Sequence, residues 1–363
     1  MRRTLGSVAL IAGCAGEHAT APACERVEVY ALYSDYQSAR VGGVTSDARA
    51  IDVGGVDLGA DVALASSNGR SYLLARDFDN LFELQPACGF PAQRSSLRSQ
   101  ASDVPLNPQS VARDDDGGLW IANYSSIPLL HLSADGKRTP VTVSDVDDDG
   151  NPQATFVHTT AHGQLVAWFA RLDDRHYPAP KGPARIVYLD TQTGAEQKRV
   201  DTAGWNLFGM LDVHERDAYA AAPGSFQNAG ETHAGIEHLR IDEGVSSLLV
   251  DEVFLGGSPT AVRIDDGCAA VIVVDATEAS HSQLVSFSIS DPAGTRAVAV
   301  QSTKGYDLIG LAWANGRLYL GDRQDRKGKV RRFLRGANCA LEEQLPAVPT
   351  RGLPFALTPN ANR

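Results

Sequence analysis

The stretch of this chain best suited to chemistry is "SDVDDDGNPQ", residues 144–153. Asp145, Asp147 and Asp149 stand at alternate positions and run into Gly150. Calcium takes hard oxygen ligands, and alternate loop residues can turn their carboxylates inward while a glycine allows the sharp turn. Asn151 would add a backbone carbonyl at the seventh loop position. Phe156 stands where a helix-loop-helix hand has its bidentate acid. A remote acid must therefore complete the shell, either Asp148 or an acid of "RLDDRH" at 171–176. Two readings stay open: a structural calcium ion on Asp145, Asp147, Asp149 and Asn151, or a linker between two repeat units kept soluble by its charge. In "RDDDGGLW", Asp114, Asp115 and Asp116 lack the alternation and read as a tight turn.

The histidines give less. His158 and His162 are four apart, but on a strand that spacing is about 13 Å, too far for one zinc ion. His233 and His238 flank a long polar loop. No G-x-S-x-G elbow, P-loop or paired C-x-x-C occurs, so no catalytic residue is assigned. The net charge of −11, from 44 acids and 33 bases, argues against nucleic acid as a partner, because phosphate backbones need a basic surface.

The first residues read as an address. Arg2 and Arg3 form a basic start, Thr4 to Gly13 carry no charge, and "LIAGC" follows. That order resembles the bacterial lipobox. The resemblance implies cleavage behind Gly13 and acylation of Cys14. Residues 1–13 are then a signal peptide and 14–26 a flexible tether, which leaves 27–359 as the folded domain. Loss of two arginines takes the charge from −11 to −13. Acyl chains anchor a protein without spanning, and no later apolar run approaches the roughly 18–20 residues a helix needs to cross. The expected location is the bacterial cell envelope, lipid-anchored at the outer membrane.

Cys24, Cys88, Cys268 and Cys339 remain as disulfide candidates, with three connectivities open. Cys88 and Cys339 follow strand-like segments at equivalent places. A bond from Cys24 to either would tie down the N-terminal end. Cys268 leads into "AAVIVVDA" and reads equally well as a buried free thiol.

The elements that must position these residues are short strands separated by Gly, Asp, Asn and Pro clusters. Residues 107–143 read as strand "SVAR", turn "DDDGG", strand "LWIANY", strand "LLHLS", turn "ADGK" and strand "RTPVTV". That is a four-stranded antiparallel meander. Its opening "NPQS" at 107–110 matches "NPQA" at 151–154, and more loosely "SPTA" at 258–261 and "LPFA" at 353–356. The prolines are 44, 107 and 95 residues apart: one unit, then two, then two. Six full units are visible. "GLPFALTP" supplies a lone first strand at the C-terminus, and "VEVYALYSDYQSARVGGVTSDARAIDV" supplies second, third and fourth strands at the N-terminus. The fold class is all-β: a seven-bladed β-propeller closed by strands from both ends, with a six-bladed ring as the alternative.

The grammar P-x-x-(A/S)…DG-LWIA…LL-L…DGK resembles the NHL-repeat and gluconolactonase-like propellers of bacteria, over essentially residues 27–358. Enzymes of that group hold a divalent cation in the central channel. By fold analogy alone, Asp212, Asp307, Glu83 and Asn206 are the acids and amides that would serve. Two long loops, 171–184 and 223–236, belong to adjacent units and should share one face, where binding is usually placed. The favoured expectation is a membrane-anchored binding or scaffold module for a protein, peptide or glycan, with no cofactor beyond structural calcium. A metal-dependent lactonase or esterase is the alternative. Three or more acids and amides converging at the channel mouth would favour the enzyme.

Overall fold

The structure is a computed structural model that describes residues 27–52, 58–84, 91–98, 104–173, 175–176, 179–226, 230–275 and 280–360. The expected signal peptide and tether, with Cys14, Cys24 and Cys88, lie outside the described residues.

Seven four-stranded antiparallel sheets form the seven blades of a β-propeller. The first strands of blades I to VI are Val62–Ser67, Pro108–Arg113, Ala154–Thr159, Phe208–His214, Ser258–Asp265 and Leu308–Ala314. Blade VII takes Pro354–Pro359 from the C-terminus and then Val27–Ser34, Ala39–Thr45 and Ala50–Asp52. The seven-bladed ring with mixed closure is thus the observed fold, and the six-bladed alternative falls away.

The apolar second strands follow from their place. Each is buried on both faces, between the preceding blade and the next, so it reads as a continuous hydrophobic run instead of an alternating one. Val27–Ser34 shows the rule: all eight residues are buried. Val29, Ala31 and Tyr33 pack toward blade VI, while Tyr30 and Leu32 pack toward blade I. Seven such apolar cores occur, one at each junction between neighbouring blades. The outer strands face water, and Glu196–Asp201 of blade III is exposed along most of its length.

Closure is made by pairing Val29 with Pro359 and Ala31 with Leu357. Asn360 reinforces it, its Nδ2 donating to the Val27 carbonyl at 2.9 Å. The buried Glu28 carboxylate takes the Tyr319 hydroxyl and the Asn315 amide from blade VI. Closure gives blade VII its first strand, so that all seven blades are complete four-stranded sheets.

Two expectations change in detail. Cys268, opening the second strand of blade V, is bonded to Cys339, between the third and fourth strands of blade VI. Cys339 is therefore not the partner of Cys24, and Cys268 is not a free thiol. The match of "NPQ" at 107–109 with "NPQ" at 151–153 is also displaced. Pro108 pairs into its blade where Ala154 does, because a bulge follows each of them. Pro152 lies before its strand, in the linker.

Candidate functional site

Neighbouring strands are antiparallel, so linkers between blades and loops between second and third strands all meet on one face. The expected long loops, 171–184 of blade III and 223–236 of blade IV, therefore leave from and return to the face where the first strands begin. The second of them runs into the third strand, which opens at Gly235. At the centre of that face is a cavity of about 360 Å³, lined by residues from the first-strand region of all seven blades.

A repeated backbone feature builds its wall. The register slips by one residue between Pro108 and Ser110, Ala154 and Phe156, Pro259 and Ala261, and Ile309 and Leu311. The same irregularity falls beside Phe355 in blade VII. A β-bulge re-aims its extra residue. The bulged residues Gln109, Thr155, Thr260, Gly310 and Phe355 all line the cavity. Gly310 is required there. Its φ is 76°, and a Cβ would stand 2.9 Å from the Leu357 nitrogen of the adjacent first strand.

The lining is largely apolar: Leu64, Phe156, Leu207, Phe208, Met210, Ile309, Leu311 and Phe355. Aromatic rings extend it outward. Phe226 of the long blade IV loop meets Phe208 edge to face at 5.6 Å, and Tyr36 meets Phe355 likewise at 5.6 Å. Phe208 and Tyr36 are 44% and 63% exposed, large for rings that a soluble core would otherwise cover. Trp205 and His233 stack at 4.3 Å, where His233 closes the same loop.

The polar members are few and mostly engaged. Asp61, the one carboxylate among the described lining residues, accepts from Arg76 Nη1 at 3.0 Å. Gln109 Nε2 donates to the Asn107 side chain at 2.8 Å, and Asn206 Nδ2 donates to the Gly224 carbonyl at 2.8 Å. Arg263 is 7% exposed. Its Nη1 donates to the carbonyls of Met210 at 3.1 Å and Val262 at 2.9 Å. Burial holds its guanidinium below the usual arginine range.

Of the four residues suggested by fold analogy, only Asn206 borders this mouth. Asp212 lines a second cavity of about 510 Å³ at the far end of the channel, where its Oδ2 accepts from the Ile264 amide at 2.6 Å. Glu83 is on a third strand, paired with Arg70. Asp307 precedes the first strand of blade VI, and burial, then Asp322, raises its pKa. The lining holds one acid, Asp61, with the amides of Asn107, Gln109 and Asn206. Asp61 is paired with Arg76 and the amides bond within the protein, so no unpaired carboxylate stands ready for a divalent cation among the described lining residues.

The acidic stretch 144–153 is the linker from blade II to blade III. Its carboxylates do converge, but the three that meet are Asp147, Asp148 and Asp149, not Asp145. The ammonium of Lys181, from the long blade III loop, makes contacts of 2.7, 2.8 and 2.6 Å with them. Burial raises the pKa of Asp147, and the hydrogen bond from Lys181 lowers that of Asp148 to about 2. Burial works against the Lys181 charge, yet the three acids outweigh it and raise its pKa. The Asp145 carbonyl instead accepts from Arg185 and Arg199, each at 2.9 Å. The Asn151 amide donates to Asp149 at 2.9 Å.

His158 and His162 are not brought together as a pair. His158 lines the far-end cavity, where burial lowers its pKa to about 4, and His162 is exposed in the following turn. His238 stacks on Tyr219 and bonds Asp217 at 2.7 Å. Sequence reasoning missed the bulge residues and Arg263. The available signal was the residue after the proline at or next to the strand start, giving Gln109, Thr260 and Phe355, and the lone cation inside "TAVRID".

No family model matches the chain, and no curated protein matches it in sequence. Among solved structures it is similar to a protein assigned as a 6-phosphogluconolactonase from Bacteroides uniformis. The TM-score is 0.56 and the identity 11%, over 92% of this chain and 99% of that one. It is also similar to the RRP9 WD40 repeats (TM-score 0.54, 11% identity, 84% and 88% covered). A third is virginiamycin B lyase from Staphylococcus aureus (TM-score 0.52, 9% identity, 92% of each chain). At these identities the likeness shows the β-propeller fold and nothing finer.

Proposed function

We propose that the chain is a binding module of the bacterial cell envelope, held at the membrane through acylated Cys14, which takes a protein, peptide or glycan segment at the channel mouth. The observation that carries this reading is the apolar, aromatic-rimmed cavity to which all seven blades contribute. Concave apolar sites with a few placed polar groups are where ligands bind. A rigid ring of blades holds the rim, while the loops of blades III and IV supply its variable part. The alternative is a metal-dependent lactonase or esterase, for which the mouth offers the Asp61 carboxylate and the amides of Asn107, Gln109 and Asn206. Their existing bonds within the protein favour the binding reading.

A glycan and peptide library screened on the immobilised chain tests the reading, with the Phe208→Ala/Phe355→Ala double variant beside it and lactone hydrolysis followed with and without calcium. Ligands retained by the wild type and lost by the variant, with no turnover, are expected. Metal-dependent lactone opening, or retention indifferent to the two rings, would overturn it. For the anchor, labelled palmitate should enter the wild type but not Cys14→Ala; equal labelling contradicts it.

A further inference from the structure

We propose that the cavity is a carboxylate receptor, in which Arg263 grips a single carboxylate of a ligand whose apolar part fills the mouth. This rests on the binding reading above and names the ligand's charge.

Arg263 comes from the first strand of blade V and lines the cavity. A guanidinium offers five donors. Nη1 is used by the Met210 and Val262 carbonyls. Among the described residues Nε and Nη2 have no hydrogen-bond partner, and no carboxylate lies within ion-pair distance of the group. The acid whose charge acts on it is Asp212, whose Oδ2 is already held by the Ile264 amide and His214. A buried cation without a counter-ion is costly, and a ligand anion removes that cost.

The two unused nitrogens form the side-on fork that meets a carboxylate with two parallel bonds. One free positive charge suits a monoanion. The other cation of the lining, Arg76, is already neutralised by Asp61, so a doubly charged phosphate would find no second partner. Leu64, Gln109, Phe156 and Met210 border both the mouth cavity and the far-end cavity, and so mark the waist between them. Arg263 bonds the Met210 carbonyl, which sets it at that waist. A ligand must therefore enter carboxylate first, leaving its apolar body against Phe208 and Phe355.

The probes are 2-naphthoate and its neutral counterpart 2-naphthalenemethanol, titrated against the full chain by fluorescence. The acid should bind the wild type at least about tenfold more tightly than the alcohol. Arg263→Met should remove that difference without weakening the alcohol, Arg263→Lys should keep part of it, and Phe208→Ala should weaken both probes. If Arg263→Met does not fold, the wild type alone decides: the acid's advantage must vanish as the pH falls through the carboxylate's own pKa near about 4. Equal affinity for acid and alcohol, or equal weakening of both by Arg263→Met, overturns the receptor while leaving the mouth reading in place. Binding of both probes that ignores Phe208→Ala overturns the mouth reading itself.

Discussion

Glu237, on the third strand of blade IV, is 1% exposed. It ties that strand to the linker entering its own blade. Oε2 accepts from the Gly204 amide at 2.7 Å, and the Ser246 hydroxyl bonds Oε1. Burial outweighs these bonds and raises its pKa to about 7. A carboxyl whose folded pKa lies above its unfolded value stabilises most below the unfolded value, near about 4.3. That stability is lost as the pH rises through the folded value. The shift from 4.5 to about 7 corresponds to a loss on the order of 3 kcal/mol by pH 8. Glu237→Gln should therefore raise the melting temperature at pH 8 and leave it nearly unchanged at pH 4, read by circular dichroism. A variant equally displaced at both pH values would contradict the assignment. None of this was legible in "GIEHLR", which shows a third strand but not what covers its glutamate. Its burial is decided by the linker that folds over it, a contact between residues far apart in the chain.

At the scale of elements, the second strands were legible because burial on both faces leaves an apolar run with no period. The linkers were legible only in part. The alternating acids of 144–153, read as a calcium site or a charged linker, lie in the linker from blade II to blade III. The cation in place is Lys181, which reaches back from the loop of blade III and pins it to the blade's own entrance. Spacing along the chain could not reveal a partner about thirty residues later. Lys181 and calcium would compete for the same oxygens. Wild-type melting should be indifferent to chelator, because the ammonium already supplies the charge. Lys181→Met should melt a few degrees lower, roughly 1 kcal/mol for a half-exposed network, and calcium should restore it. A chelator that lowers the wild-type melting temperature would show that calcium displaces the lysine. The bulges were less visible still. A proline opens the strand in blades II and VII and stands second in blade V, but Ala154 and Ile309 hold the equivalent places, so the one-residue slip that aims Gln109, Thr260 and Phe355 inward is a property of pairing, not of composition.

At the scale of the molecule, seven blades around one channel place a single residue or two from each at a common mouth. No blade makes the site alone. Ring closure by Pro354–Pro359 and Val27–Ser34 therefore does more than protect edges: it brings Phe355 and Tyr36 to the rim beside residues from the middle of the chain. The count of blades followed from repeat spacing and from incomplete units at the two ends. The chemistry of the mouth did not, because it depends on which few residues the bulges turn toward the axis. The central claim is that this mouth binds. The most direct test is calorimetric titration of a library-selected peptide or glycan into the wild type and into Phe208→Ala/Phe355→Ala. Loss of the two rings should weaken binding at least about tenfold, or 1.4 kcal/mol. An unchanged affinity would contradict the account.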